Sequence, residues 1–111
     1  MNKPAALLAL LLVALPVLAE QATPARPLLI DVRTAAEYQA GHARAAINIP
    51  YETIAERIAT LTPDRNTHIV LYCRTGRRSG IAEQTLRQMG YQHVENRGGL
   101  NDLSRHGYPL Q

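Results

Sequence analysis

Short apolar runs and amphipathic stretches alternate along the chain from Leu28 onward. Three runs rich in β-branched and aliphatic residues have the length of buried strands, and the run that begins at His68 leads directly into Cys73. A last strand is expected at residues 92–96, between Gly90 and the double glycine Gly98-Gly99. The pattern therefore predicts strands at residues 28–32, 46–50, 68–72 and 92–96.

Two short helices are indicated by their ends. Thr34 and Glu37 are three positions apart, which is the spacing of a capping box, and a helix that starts there should end by Gly41. A second short helix is predicted at residues 100–105, after a tight turn at Gly98 and Gly99.

Two longer helices are indicated by apolar residues that recur on one helical face, with Gly90 as the stop of the second helix and Ser79 as its N-cap. The apolar stripes are Ile54, Ile58 and Leu61 in the first helix, and Ile81, Ala82, Thr85, Leu86 and Met89 in the second. Strands and helices thus alternate throughout, which implies right-handed crossovers and an α/β fold. We expect a mostly parallel sheet flanked by helices on both faces, with chemistry at the carboxyl ends of its strands.

Residues 1–19 have the pattern of a cleaved export signal. Lys3 precedes an uncharged, leucine-rich run, and Ala19 stands before the polar Glu20. The alternative is an uncleaved membrane anchor, but the uncharged run has 16 residues with two prolines, whereas a span takes about 20 residues. We expect cleavage after Ala19, a soluble periplasmic protein without a stable membrane anchor, a proline-containing leader at 20–27 and one domain at 28–111.

Charge and cysteine content exclude several classes of protein. Cleavage would leave 92 of the 111 residues, with 11 arginines against 9 acidic residues. This net charge of +2 does not predict a nucleic-acid partner. One cysteine excludes an internal disulfide framework, and the four histidines are too widely spaced for a usual ligand pair, so we expect neither a metal nor another cofactor.

The segment from Cys73 to Ser79 carries the candidate chemistry. A thiol between a strand and a helix N-terminus receives backbone N–H groups and the positive end of the helix dipole, which lower its pKa. Arginines at positions 74, 77 and 78 add positive charge, and Gly76 lets the loop curl into an anion-binding nest. The alternative is that Cys73 is simply a small buried core residue, a common fate of free cysteines. A lone thiol in an exported protein and its three arginine neighbours favour catalysis.

Asp31 and Arg33 lie on and just after the first predicted strand, in a position where catalytic groups also occur. Oppositely charged residues so close in sequence more often form a structural ion pair. We therefore expect a scaffold role for this pair rather than a chemical one.

Motifs spread over residues 28–109 resemble one known family. They are Leu29-Ile30-Asp31-Val32-Arg33, Glu37-Tyr38, Gly41-His42, Ala46-Ile47-Asn48-Ile49-Pro50, Tyr72-Cys73-Arg74-Thr75-Gly76-Arg77-Arg78-Ser79, Gly90-Tyr91 and Gly98-Gly99-Leu100. The chain is similar to single-domain rhodaneses, which are sulfurtransferases, and most of all to their small periplasmic members. One departure is Leu103, where many members have tryptophan, and it predicts a less aromatic pocket wall.

The resemblance implies that Cys73 forms a persulfide and that a loop cradles the substrate anion. The loop residues are Arg74, Thr75, Gly76, Arg77 and Arg78. It also implies a thiosulfate-like sulfur donor and a thiol or cyanide as acceptor, and we expect the protein to act as a monomer.

Two other functions use similar residues. A tyrosine-phosphatase loop places five residues between its cysteine and its arginine, whereas here Arg78 follows Cys73 after four. A non-catalytic persulfide carrier or thiol sensor would instead use Cys73 as a handoff site on a partner protein. Turnover with free thiosulfate separates an enzyme from such a carrier.

Overall fold

The computed structural model describes residues 26–111 and the isolated Asn2. Apart from that asparagine, the predicted signal at 1–19 lies outside the described residues, as does the leader before residue 26. Within the part of the chain that is described, no helix has the length and apolar character needed to cross a membrane.

Four strands and four α-helices alternate along the described chain. Their bounds are β1 Leu28–Asp31, α1 Ala35–Ala40, β2 Ile47–Asn48, α2 Ile54–Leu61, β3 His68–Cys73, α3 Arg77–Gln88, β4 His93–Gly99 and α4 Leu100–Arg105. A single 3₁₀ turn, Tyr51–Thr53, leads into α2. All strand pairs are parallel, and the order across the sheet is β2-β1-β3-β4. The predicted fold class is confirmed.

The sheet buries a different set of side chains on each face. On one face, Ile30, Ile69 and Leu71 of the strands pack with residues of α2 and α3 such as Ile58 and Leu86. On the other face, the second cluster joins strand residues to α1 and α4; its members and neighbours are Leu29, Val70, Tyr72, Ala43, Ala46, Leu103, Tyr38, Leu100 and Tyr108. Helices therefore cover both faces, as the alternation predicts.

Two strand predictions need correction. The second strand has two residues rather than five, because Ala45 takes a left-handed φ of 68° before it and the chain turns away at Pro50 after it. The last strand extends through Gly98 and Gly99, which were expected to form a tight turn. Gly98 has a φ of 80°, and the pairing register between β3 and β4 shifts between Leu71 and Cys73. The two glycines therefore lie within an irregular, bulge-like part of β4 rather than in a separate turn.

Three predicted apolar positions lie elsewhere than expected. Leu61, in the last turn of α2, is 40% exposed and lies with Ile47 in an open depression at the sheet edge, where the two-residue β2 covers little. Ile81 of α3 is also exposed, because Ala82 and Leu86 face the core. Leu103 is fully buried in the α4 cluster. It is not among the residues that line the cleft beside the Cys73 loop, and that lining contains no aromatic residue, so the effect of Leu103 on the pocket wall stays a prediction.

Candidate active site

The loop after β3 turns sharply at a glycine. Cys73 is the last residue of β3, and Gly76 takes a left-handed φ of 100° directly before α3 begins at Arg77. A Cβ on Gly76 would come within 3.2 Å of the Gly98 Cα, so the loop packs closely against the end of β4. The predicted role of Gly76 in curling the loop is confirmed in its backbone geometry.

Backbone and side-chain donors converge on the Cys73 sulfur. The Gly76 N–H donates to Sγ at 2.9 Å, and the Ser79 hydroxyl oxygen lies 3.4 Å from Sγ. Burial raises the pKa of the thiol, but hydrogen bonds from Ser79, Thr75 and Gly76 outweigh burial, and the net pKa is lowered. The predicted lowering of the Cys73 pKa is confirmed in direction. Its main cause is these hydrogen bonds rather than the charges of the arginines.

Cys73 is also a core residue, because only 1% of it is exposed and it packs within the α2–α3 cluster. The alternative interpretation was thus correct about packing. It does not explain why several donors surround a thiol that an apolar pocket alone would leave protonated. The Cys73 sulfur is therefore buried and, at the same time, surrounded by hydrogen-bond donors.

Ser79 does not cap α3, contrary to the prediction. The helix begins two residues earlier, with Gly76 as its N-cap and no side-chain capping bond. Ser79 is therefore turned inward and fully buried, where its hydroxyl oxygen lies 3.2 Å from the Gly76 carbonyl and 2.7 Å from Asn96 Oδ1. Because Gly76 takes a left-handed conformation, α3 begins at Arg77, and Ser79 lies inside the helix instead of at its N-cap.

The three loop arginines have different surroundings. Arg74 and Arg77 are exposed. The Arg78 guanidinium instead donates to both carboxylate oxygens of Glu37, at 2.7 and 2.9 Å. This bond lowers the pKa of Glu37 to about 2, so the carboxylate stays charged. Two of the arginines thus remain open to an incoming anion, while Arg78 is held by α1.

A cleft of about 310 Å³ opens beside the loop. Its lining residues are Arg33, Glu37, Ala40, Arg74, Leu100 and Asn101. Arg33 and Glu37 are neutralised by their partners Asp31 and Arg78. Arg74 is the lining cation for which the structure shows no ion pair among the described residues. The cleft therefore favours a small anion near Arg74.

Asp31 and Arg33 form a buried ion pair, as expected. The Arg33 guanidinium donates to Asp31 Oδ2 at 2.7 Å and to the Gly41 carbonyl at 2.6 Å, and the backbone N–H of Arg33 donates to Asp31 Oδ1. Neither side chain contacts Cys73 through a hydrogen bond. The predicted ion pair is confirmed, and its role as a scaffold rather than a chemical group stays a prediction.

Two residues at the site were not identified from the sequence. Glu37 was assigned only to its capping box with Thr34, which is present, but it also binds Arg78 across 41 residues of chain. No local pattern signals such a pair. Asn96 contacts Ser79 from β4, and here a signal existed, because a short polar residue at the carboxyl end of a parallel strand is placed for site chemistry.

Comparisons with known proteins agree with this arrangement. The family model "Rhodanese-like domain" matches residues 16–106. The thiosulfate sulfurtransferase PspE of Escherichia coli is 52% identical over 75 residues, which cover 68% of this chain and 72% of that protein. A sulfurtransferase of Allochromatium vinosum is 42% identical over 84 residues, covering 75% of this chain and 77% of that protein.

A solved structure described as a rhodanese with anions from E. coli superposes with a TM-score of 0.72. It is 47% identical in sequence and covers 77% of this chain and 96% of its own. The matched range, the identities and the parallel α/β fold lead to one conclusion: this chain belongs to the rhodanese family.

Proposed function

We propose that this protein is a thiosulfate sulfurtransferase in which Cys73 carries the transferred sulfur as a persulfide. Membership of the rhodanese family and its similarity to named sulfurtransferases make it a sulfurtransferase. The observation that carries the assignment of Cys73 is the convergence of the Gly76 N–H and the Ser79 hydroxyl on its sulfur. Cys73 is also the only cysteine in the chain.

The reaction divides into two displacements at sulfur. In the first, the Cys73 thiolate attacks the outer sulfur of thiosulfate, the S–S bond of the donor breaks, and sulfite leaves with the bonding electron pair. In the second, cyanide or a thiolate attacks the outer sulfur of the persulfide, and the Cys73 thiolate is released. No net oxidation of the protein occurs over the cycle, and no cofactor is needed.

The loop supplies the electrostatic environment for both steps. Backbone N–H groups of Thr75 and Gly76 at the start of α3 stabilise negative charge on sulfur. We assign the donor anion to Arg74 in the cleft, with Arg77 as an outer cation. Arg78 shapes the loop through Glu37, so an anion that reaches its guanidinium has to share it with that carboxylate.

An anionic donor fits the charges of the site. The similar E. coli structure is that of a rhodanese with anions, which supports this choice. We further propose that residues 1–19 export the chain to the periplasm, that 20–27 form a leader, and that the domain at 28–111 works as a monomer on a thiol acceptor, for which cyanide substitutes in assays.

Thiocyanate formation from thiosulfate and cyanide tests the proposal. The purified chain should turn over, and Cys73→Ser should be inactive while its circular dichroism spectrum and its urea midpoint stay close to the wild type. Turnover by the serine variant would contradict the assignment of the nucleophile. A folded wild type with a reduced thiol but without turnover would support the carrier function instead.

Arg74→Ala and Arg77→Ala separate the two exposed arginines. Because Arg74 lines the cleft, its loss should raise the KM for thiosulfate more than the loss of Arg77. Equal effects would place the donor outside the cleft.

A further inference from the structure

Asn96 joins three segments around the active cysteine. It lies in β4, opposite Leu71 of the neighbouring strand β3. Its side-chain N–H donates to the Gly76 carbonyl at 3.0 Å, and its Oδ1 accepts from the Gly98 N–H at 2.9 Å. The same Oδ1 lies 2.7 Å from the Ser79 hydroxyl.

Two backbone partners determine the orientation of the Asn96 amide. The Gly76 carbonyl needs a donor and therefore faces Nδ2, whereas the Gly98 N–H needs an acceptor and therefore faces Oδ1. Rotating the amide by half a turn would break both bonds. The side-chain oxygen is consequently held toward Ser79 as an acceptor.

Ser79 has one proton and three acceptors within reach. Its hydroxyl oxygen lies 2.7 Å from Asn96 Oδ1, 3.2 Å from the Gly76 carbonyl and 3.4 Å from Cys73 Sγ. A hydroxyl donates one hydrogen bond at a time. A proton shared with Asn96 is therefore not available to the sulfur, and the Ser79 side chain is fully buried beside it.

We propose that Asn96 is a positioning residue that competes with Cys73 for the Ser79 proton and thereby tunes the reactivity of the thiolate. This inference rests on the proposed role of Cys73 as the nucleophile. When the sulfur carries a full negative charge, the charge-assisted bond from Ser79 to Sγ is favoured. When the sulfur is bonded to the transferred atom, the charge moves to the outer sulfur, and the hydroxyl returns to Asn96.

Because Asn96 and Cys73 compete for the Ser79 proton, the hydroxyl has an acceptor both when Cys73 is a thiolate and when it is a persulfide. Without Asn96, the hydroxyl would donate to the sulfur more of the time, which stabilises the thiolate and opposes its attack on the donor. With Asn96, the thiolate is less stabilised and more nucleophilic. Asn96 should therefore affect the chemical step more than the binding of the donor anion, which it does not contact through the cleft.

A double-mutant cycle on the thiol pKa tests this proposal, with Asn96→Ala, Ser79→Ala and the double variant. The pKa is read from the rate of iodoacetamide alkylation against pH. Asn96→Ala should lower the Cys73 pKa, with about a threefold larger ionisation constant, because it frees the Ser79 proton. When Ser79 is already alanine, Asn96→Ala should leave the Cys73 pKa unchanged.

A purely structural role of Asn96 predicts the opposite sign. Loss of its bond to the Gly76 carbonyl would loosen the loop and move the thiol pKa upward, in both backgrounds alike. A rise, or an equal change with and without Ser79, would overturn the proposal. The charged groups at this edge are unaltered in all the variants: they are the pairs Arg78–Glu37 and Asp31–Arg33, Glu83, which accepts from the Asn96 backbone N–H, and Asp102, which accepts from the Gly99 N–H.

Asn66→Ala is the matched control, because Asn66 is exposed in the turn before β3, at the opposite end of that strand, and only its backbone N–H is hydrogen-bonded to Asp64. It should leave the thiol pKa and the turnover unchanged.

In steady-state assays, Asn96→Ala should lower kcat and change the KM for thiosulfate little. If the wild type forms no persulfide, the proposed function fails; if it does and the cycle shows no coupling, only the role of Asn96 fails.

Discussion

Strands β1 and β3 are neighbours that end at the same edge of the sheet, and both ends bury polar groups. At the end of β1, Asp31 and Arg33 satisfy each other, and Arg33 also donates to the Gly41 carbonyl. At the end of β3, the Gly76 N–H and the Ser79 hydroxyl converge on Cys73, and among residues 26–111 no cationic side chain is hydrogen-bonded to its sulfur. One strand end is closed by an ion pair, and the other holds the proposed nucleophile, Cys73, among hydrogen-bond donors.

This difference shows why position at a strand end does not by itself identify a catalytic group. Removing one member of a buried ion pair destabilises the fold, because the other charge is left uncompensated, and two groups that satisfy each other are not free to react. A buried thiolate that is stabilised only by hydrogen bonds keeps a free electron pair, which the proposed attack on the sulfur donor requires. The predictions that follow disturb either the ion pair at the end of β1 or the contacts that hold the loop after β3.

Breaking the ion pair should have the largest effect. Asp31→Ala leaves the Arg33 guanidinium buried without its carboxylate, so the free energy of unfolding should fall by about 3–5 kcal/mol in urea denaturation. The exposed Glu52 provides the control variant Glu52→Ala, which should change stability little. If Asp31→Ala is as stable as the wild type, the pair is not the scaffold of this edge.

A side chain added at Gly99, against the loop that follows Cys73, should have the next largest effect. It should lower activity more than stability. A Cβ at Gly99 would collide with the Arg74 carbonyl, so Gly99→Ala should displace the loop and lower kcat/KM on the order of 100-fold. In Gly90→Ala the new Cβ meets no atom within 4 Å, although the φ of 94° makes it strained. This control should lose stability without a comparable loss of kcat/KM.

Arg78→Lys should have a smaller effect. A lysine keeps the charge but cannot bind both oxygens of Glu37, so the loop loses one of its two bonds to α1. We expect kcat/KM to fall about tenfold, with the fold and persulfide formation retained. Arg77→Lys, at an exposed neighbouring position, should stay near the wild type. Wild-type activity of Arg78→Lys at low thiosulfate would show that the paired geometry is dispensable.

The smallest effect concerns pH and Glu37. Its pKa is lowered from 4.5 to about 2 in the folded chain, chiefly by Arg78, so the bond stabilises the fold above pH 4.5 and is lost as the pH falls toward 2. Because Glu37 is partly exposed, the contribution should be about 1 kcal/mol. Urea midpoints between pH 6 and pH 2.5 should therefore fall more for the wild type than for Glu37→Gln. Parallel pH profiles would contradict this role of the pair.

Much of the fold is encoded in local patterns, and the departures have local causes. The apolar runs identify β1, β2 and β3, and the Thr34–Glu37 capping box places the start of α1. The N-cap prediction for Ser79 failed because a left-handed Gly76 starts α3 earlier. A pattern of residue types does not reveal which of two possible caps a loop will use.

The candidate site was predictable in its centre and not in its surroundings. Cys73 follows from a thiol between a strand and a helix, which is a local signal. The contacts of Arg78 with Glu37 and of Ser79 with Asn96 join residues 41 and 17 positions apart, and they depend on how the helices and strands pack. The Arg78–Glu37 pair requires the tertiary structure, because any other exposed arginine and glutamate could have formed it, whereas the position of Asn96 near a strand end was the one available signal.

Intact-mass analysis of the wild-type chain after incubation with thiosulfate tests the role of Cys73 most directly. The account predicts a mass gain of one sulfur atom, located on the peptide that contains Cys73, that disappears when cyanide is added and thiocyanate appears. Cys73→Ser should show no gain. A folded wild type whose reduced thiol gains no sulfur, or a gain that persists in Cys73→Ser, would contradict the account.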